Sequence, residues 1–267
     1  MSSSSTAMVT GASTGIGAVY AERLARRGHD LILVARNVAR LEERAAHLRS
    51  RTGRKVELMP ADLQQPGELL RVEQRLRDDR QIAMLVNNAG IALAGPVADA
   101  DPARLEAMVQ LNILAAMRVA VAAAAGFKAR GGGTVVNIAS VLALAPERFN
   151  AVYAASKAFV LAFTQGLDAE LRGSGVRFQA VLPGATRTAL WASAGVDVES
   201  LPPEMLMDAD DMVGAALAGL DAGELVTIPS LPDAADWDRM DAARLALGPN
   251  LSRQHPAERY LPVPAGA

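Results

Sequence analysis

"TAMVTGASTGIG", residues 6–17, decides the fold of this chain. Its first five residues are short, apolar and suited to a strand. Three glycines follow, and then a helical pattern, "AVYAERLARRG", at 18–28. A strand that passes through a glycine turn into a helix lets backbone approach a diphosphate. The N–H groups and dipole of the helix start then stabilise the negative charge. Gly11, Gly15 and Gly17 form the turn, and Ser13, Thr14 and Ile16 are the other candidate cofactor contacts within it. The glycine spacing is wider at the front than the common G-x-G-x-x-G fingerprint.

Outward from this turn, short apolar runs alternate with longer amphipathic ones. "TAMVT" (6–10), "DLILVA" (30–35), "KVELM" (55–59), "AMLVN" (83–87), "GTVVNI" (133–138), "VRFQAVL" (176–182) and "LVTI" (225–228) read as strands. Several are apolar on both faces, as parallel strands sandwiched between helices are. Helix punctuation separates them. Gly28 and Gly53 stand at helix ends, Asn37, Asp101 and Asp208 at helix starts, and Pro66 and Pro102 in first turns. Strand and helix alternating in this way predict an α/β fold with one doubly wound, mostly parallel sheet of about seven strands and helices on both faces. No linker or repeat divides the chain, so residues 1–267 read as a single domain. After Ile228 the pattern changes, and 229–267 reads as a C-terminal extension with one short helix before a proline-containing tail.

Composition narrows the function classes. The net charge of −2 gives no reason to expect nucleic acid or an anionic membrane as a partner. There is no cysteine, which excludes disulfides, thiolate metal sites and thiol chemistry, and His29, His47 and His255 are too scattered to suggest a metal site. The start "MSSSSTAM" lacks the basic and apolar parts of a signal peptide. The most apolar run, 113–127, is interrupted by Arg118 and reads as a buried alanine-rich helix rather than a membrane span. The expected compartment is the cytoplasm.

Two further positions carry chemistry. In dinucleotide folds an acid about 20 residues past the glycine turn binds the adenosine ribose 2′-hydroxyl. Here "LVARN" offers Arg36 instead, and a guanidinium there pairs with a 2′-phosphate, so NADP(H) is preferred and NAD(H) remains possible. The other position is "YAASK" (153–157). The chain holds three lysines against 24 arginines, yet one lysine stands one helical turn after Tyr153. At i and i+4 the two side chains share a helix face. A nearby ammonium favours the phenolate and lowers a tyrosine pKa from its usual value of about 10. The phenol can then give a proton to a carbonyl or take one from an alcohol.

Taken in order, "TGASTGIG", "NNAG" at 87–90, "VVNIAS" ending at Ser140 and "YAASK" resemble the short-chain dehydrogenase/reductase family across residues 6–228. The resemblance implies a Rossmann-type, NAD(P)-dependent oxidoreductase acting on a carbonyl or alcohol. It assigns Tyr153 as catalytic acid/base, Lys157 as its partner and a ligand of the nicotinamide ribose, and Ser140 as donor to the substrate carbonyl. Asn112, in "QLNIL", would hold a water in the proton relay. Asp62 and Leu63, in "ADL", would lie beside the adenine, and Asn88, Ala89 and Gly90 along the adenosine ribose. "PGATRT" (183–188) resembles the loop that meets the nicotinamide carboxamide, through Pro183, Gly184, Thr186 and Thr188, with threonine at 186 where the family has an aliphatic residue. A homodimer or homotetramer is implied as well.

The family places its substrate pocket between Ser140 and Tyr153 and in a lid near 189–207. Leu142, Leu144, Phe149, Leu190, Trp191 and Met205 stand there. They either wall a pocket for a small apolar carbonyl substrate or pack the lid on the core. Arg148 and Arg187 are the charges that could grip an anionic substrate. Two rivals stay open: a non-catalytic NAD(P)-binding sensor or regulatory protein, and an epimerase or dehydratase of nucleotide sugars.

Overall fold

A computed structural model of the chain describes residues 5–261. The serine-rich start at 1–4 and the last six residues, with Pro262 and Pro264, lie outside the described residues. Contacts divide the chain into two units, Met1–Ser230 and Leu231–Ala267. The first contains β1 (Thr6–Thr10), α1 (Gly15–Arg26), β2 (Asp30–Ala35), α2 (Val38–Thr52), β3 (Val56–Pro60), α3 (Pro66–Asp78) and β4 (Ile82–Asn87). It continues through α4 (Pro102–Val109), α5 (Ala116–Arg130), β5 (Gly133–Ile138), α6 (Ala151–Glu170), β6 (Val176–Val181), α7 (Ala189–Ala194), α8 (Ala209–Ala222) and β7 (Val226–Thr227). The second unit carries α9 (Ala234–Ala246), and none of its described residues is buried.

The sheet has the order β3-β2-β1-β4-β5-β6-β7 and is parallel throughout, not merely for the most part. Strand side chains alternate between two cores. Ala7, Val9, Leu31, Leu33 and Val86 face α1, α2 and α8, which contribute Leu24, Leu41, Leu48 and Val213. Met8, Ile32, Val34, Leu85 and Val135 face α3 and α5, with Val72, Leu76, Val119, Ala123 and Phe127. Both faces are apolar because both are covered, which is the pattern the strand sequences carry. Residues 102–130 are long and apolar enough to cross a membrane by composition, but the α5 part lies in the second core.

Two local expectations need correction. β7 is a two-residue edge strand, shorter than the 225–228 run, since Pro229 cannot donate to a ladder and only β6 flanks it. Asp208 stands at the start of α8 but makes no side-chain cap there, because its carboxylate pairs with Arg187 at 3.4 Å. Arg187 is therefore not free to hold an anionic substrate. The other cues hold: Asn37 accepts from the Arg40 N–H, Asp101 from Ala103, and Gly53 closes α2 in the left-handed conformation at φ 66°.

Between α4 and α5 lies a feature with no sequence signature, a π-helical turn at Gln110–Ala115. It holds Asn112. Such insertions widen the helix locally and re-aim a side chain.

Candidate active site

The site is assembled at the C-terminal ends of β1, β4, β5 and β6, where the chain reverses its direction of travel across the sheet. Thr10, the last residue of β1, ties the first two together. Its hydroxyl accepts from the N–H groups of Asn88 (2.9 Å) and Ala89 (3.0 Å). The Asn88 amide returns bonds to the carbonyls of Thr10 (3.0 Å) and Gly11 (3.3 Å). This lattice leaves no space at Gly11, whose φ is +65°: a Cβ there would lie 2.7 Å from Asn88 Nδ2. At Gly17 a Cβ would lie 2.4 Å from the Gly11 carbonyl. The glycines thus serve the close approach of one backbone to another.

The start of α1 is open to a ligand. Thr14 makes no side-chain cap, and no acidic residue stands in the first turn. Opposite it, Thr188 is so close that a Cβ at Gly15 would lie 3.2 Å from it. The loop 183–188 therefore faces the glycine turn. Its departure from the family pattern is locally absorbed: Thr186 is buried, and its hydroxyl donates to the Gly184 carbonyl at 3.1 Å.

Asn112 is clamped to the strand-end loop. Its Oδ1 accepts from Ile91 N at 2.9 Å, and its Nδ2 donates to Ile91 O at 2.8 Å and to Ser156 Oγ at 3.2 Å. Ser156 in turn donates to the Tyr153 carbonyl at 2.7 Å. Both N–H donors of the Asn112 amide are committed, so a water could reach this side chain only as a donor to Oδ1. Gly90 lies between Asn112 and Lys157. A Cβ there would be 3.1 Å from Asn112 Oδ1 and 3.6 Å from Lys157 Nζ.

Ser140 follows β5; its hydroxyl donates to the Pro183 carbonyl at 3.4 Å and accepts from Leu142 N at 3.2 Å. Tyr153 and Lys157 are both buried on one face of α6, whose start is capped by Asn150. Arg36 and Asp62 line a separate groove beside the ends of β2 and β3, and Leu63 is buried next to it.

With the constellation in place, the short chain dehydrogenase family model matches residues 5–198. The chain belongs to the short-chain dehydrogenase family. It is 49% identical to a short-chain dehydrogenase from Sphingobium yanoikuyae in complex with NADPH, over 96% of this chain and 100% of that one, with a TM-score of 0.93. It is 45% identical to a bulky-bulky ketone specific alcohol dehydrogenase from Comamonas testosteroni, over 97% and 99% of the two chains, with a TM-score of 0.89. The very-long-chain 3-oxoacyl-CoA reductase of Anas platyrhynchos is 34% identical over 66% of this chain, and the match spans 58% of that longer protein.

The electrostatics of this short-chain dehydrogenase differ from the reading of "YAASK" in isolation. Burial pushes Tyr153 up to about 12, with the neighbouring Ser140 hydroxyl lowering it in part. Burial also lowers Lys157 to about 8. The Lys157 ammonium donates to the Ile138 carbonyl at 3.0 Å and sits 5.6 Å from the Tyr153 ring centre. Desolvation of the phenolate thus outweighs the attraction of the lysine in the protein alone.

On the substrate side, Leu142, Phe149 and Leu190 pack around Tyr153 with Leu93, Met108 and Ala194. Phe149 meets Tyr153 edge-on at 5.5 Å and Trp191 edge-on at 6.1 Å. The Trp191 indole donates to the Thr186 carbonyl at 2.7 Å. Leu144 and Met205 are exposed and are not in this cluster, and Arg148 is exposed too.

Sequence reasoning missed Thr10, Ser156 and a buried amide chain, in which Asn87 donates to Asn137 Oδ1 and to the Ala116 carbonyl, and Asn137 donates to Thr164. The available signal was the polar residues inside apolar strands. A buried amide must be hydrogen-bonded, and here the bonds join β4, β5, α5 and α6.

Proposed function

We propose that this chain is an NADP(H)-dependent oxidoreductase that moves a hydride between the nicotinamide and a carbonyl or alcohol carbon of a small apolar substrate. Tyr153 is its general acid/base. The observation that carries this reading is the convergence of Ser140, Tyr153 and Lys157, with the 183–188 loop reaching from Ser140 to the uncapped start of α1. The nicotinamide supplies or takes the hydride. The protein's residues bind, orient and move the proton. Ser140 and Tyr153 donate to the substrate oxygen, and Tyr153 passes its proton there as the alcohol forms.

Burial keeps the Tyr153 phenol protonated at neutral pH, the form that carbonyl reduction draws on, and the phenol becomes a better acid as neighbouring positive charge brings its pKa down toward neutrality. Oxidation needs the phenolate, so it calls for added positive charge, supplied by Lys157 and an oxidised nicotinamide ring. Asn112 positions the Ile91 loop and offers Oδ1 to a relay water, and the backbone N–H groups at the start of α1 receive the diphosphate. Asp62, Leu63 and Asn88 to Gly90 take the adenosine, and Pro183, Gly184, Thr186 and Thr188 the carboxamide.

Phe149, Trp191, Leu142 and Leu190 form an apolar wall, and the Comamonas relative is named for bulky ketones, so an apolar ketone is the substrate class. The protein is a cytoplasmic homodimer or homotetramer in this reading. Its test is a panel of apolar and polar carbonyls with NADPH, followed by loss of NADPH absorbance. Turnover of apolar ketones is the expected result. Tight NADPH binding with no turnover on any carbonyl would instead make the protein a sensor.

A further inference from the structure

We infer that Arg71, in α3, is a second residue that grips the 2′-phosphate of NADP(H) together with Arg36. The inference rests on the NADP(H) reading above. Arg36, Pro60, Ala61, Asp62, Glu68 and Arg71 line one groove of about 540 Å³. It contains two arginines and two carboxylates, so its formal charges cancel, but the carboxylates are already engaged. Glu68 accepts from the Asp62 backbone N–H at 2.6 Å, and Asp62 accepts from the Gln64 N–H at 3.0 Å. Among the described residues neither Arg36 nor Arg71 forms an ion pair, although most arginines around α1 and α3 do.

The position of Arg71 has a local cause. Glu68 and Arg71 are three residues apart on α3 and share a face, so both reach the groove. One guanidinium N–H of Arg71 donates to the Pro60 carbonyl at 3.1 Å, at the end of β3. That bond fixes the group while leaving its other donors unused by protein acceptors. Two guanidinium groups that line one groove can both reach a single bound anion. A phosphate monoester, with three acceptor oxygens, can take a forked pair of bonds from each. Arg36 alone leaves a dianion half-compensated, and Arg71 completes it.

The test is calorimetric titration of the wild type, Arg71→Ala, Arg71→Lys, Arg36→Ala and the double alanine variant. The probes are NADPH, NADH, adenosine 2′,5′-bisphosphate and 5′-AMP. Arg71→Ala is expected to weaken NADPH and the bisphosphate by about tenfold, the size of one charge-assisted contact, and to leave NADH and 5′-AMP unchanged. Lysine should restore part of the loss, and the double variant should bind NADPH no better than NADH. Equal weakening of NADH and NADPH by Arg71→Ala would overturn the inference, since it would mean a structural role or stacking on the adenine. So would no change in either. A wild type that binds NADPH and NADH equally would overturn the NADP(H) reading itself, a result separable from failure at Arg71 alone.

Discussion

The turn after β1 and the 183–188 loop after β6 face each other, with Thr188 against Gly15, yet the segments that follow them are built from opposite materials. Around the turn, backbone is held by backbone and by short polar side chains. Thr10, Asn88 and Gly11 form a closed set of hydrogen bonds with no space for an added methyl. Around α7, rings pack edge to face, and one indole N–H ties α7 to the 183–188 loop. A hydrogen-bond lattice accepts very few residue types at each position, while apolar packing accepts many of similar volume. The first side can therefore hold an invariant part of a ligand, and the second can be fitted to different substrates.

Tyr153 sets its ring against Phe149 on the apolar side, and it offers the strongest way to sharpen the contrast. Tyr153→Phe keeps the ring against Phe149 and removes only the hydroxyl. Turnover should fall by about a hundred- to ten-thousandfold, while the dissociation constant for NADPH and the KM for a ketone stay close to wild type. Steady-state kinetics with a parallel NADPH titration would decide. Retention of most of the activity would place the acid/base elsewhere.

Thr10→Val probes the lattice directly. The shape is kept, but the N–H groups of Asn88 and Ala89 lose their acceptor. Leaving such groups unpaired costs about 1–3 kcal/mol each, so a loss of about 2–6 kcal/mol in unfolding free energy is expected. NADPH and NADH should weaken together, because the damage lies where the two cofactors are identical. A denaturant midpoint unchanged from wild type would show that the lattice is dispensable, and the contrast between the two sides would collapse.

The same contrast explains what was legible in the sequence. β1, β2 and β5 lie where their apolar runs predict, because each strand is covered on both faces and bounded by turn residues. The glycine turn was legible because only glycine fits its close approaches. The π-helical turn that carries Asn112 was not, since no residue in "QLNILA" departs from ordinary helix formers, and the insertion is set by tertiary bonds to Ile91 and Ser156. The extent to which burial opposes Lys157 at Tyr153 was not legible either. Spacing puts the two groups on one face but says nothing about how dry that face is. Of the apolar residues named on either side of α6 and β6, Phe149 and Trp191 pack in a chain of rings with Tyr153, whereas Leu144 and Met205 are exposed, because apolar character alone does not tell a packed residue from an exposed one.

Lys157→Met tests that dryness. The lysine value of about 8 lies below its usual value, so the folded state disfavours the charged form. Between pH 8 and 10.5 the unfolded chain holds a proton that the folded chain has released, and wild-type stability from this group rises with pH. Below pH 8 the charge is buried at full cost. Removing it should raise stability at pH 7 by about 2–3 kcal/mol, after allowing about 1 kcal/mol for the lost bond to Ile138. The gain should shrink as pH rises above 8, even though turnover falls. Urea unfolding at pH 7 and pH 9.5 would measure it, and a variant less stable than wild type at both would refute the desolvation argument.

The smallest effect belongs to α7. Trp191→Phe keeps an aromatic ring against Phe149 but removes the N–H that donates to Thr186. Trp191 is only half-buried, so water can take over part of the bond, and the net loss should be near the value of an ordinary hydrogen bond, about 1 kcal/mol. If α7 forms the substrate wall, that loss appears as a rise of about fivefold in KM for bulky apolar ketones. Turnover at saturation and NADPH affinity should not move, because the glycine turn and Tyr153 are untouched. A ketone series of increasing size would resolve it, with the rise growing as the substrate reaches further toward α7. A uniform change across the series, or one confined to NADPH, would show that the bond serves the 183–188 loop and the cofactor side instead.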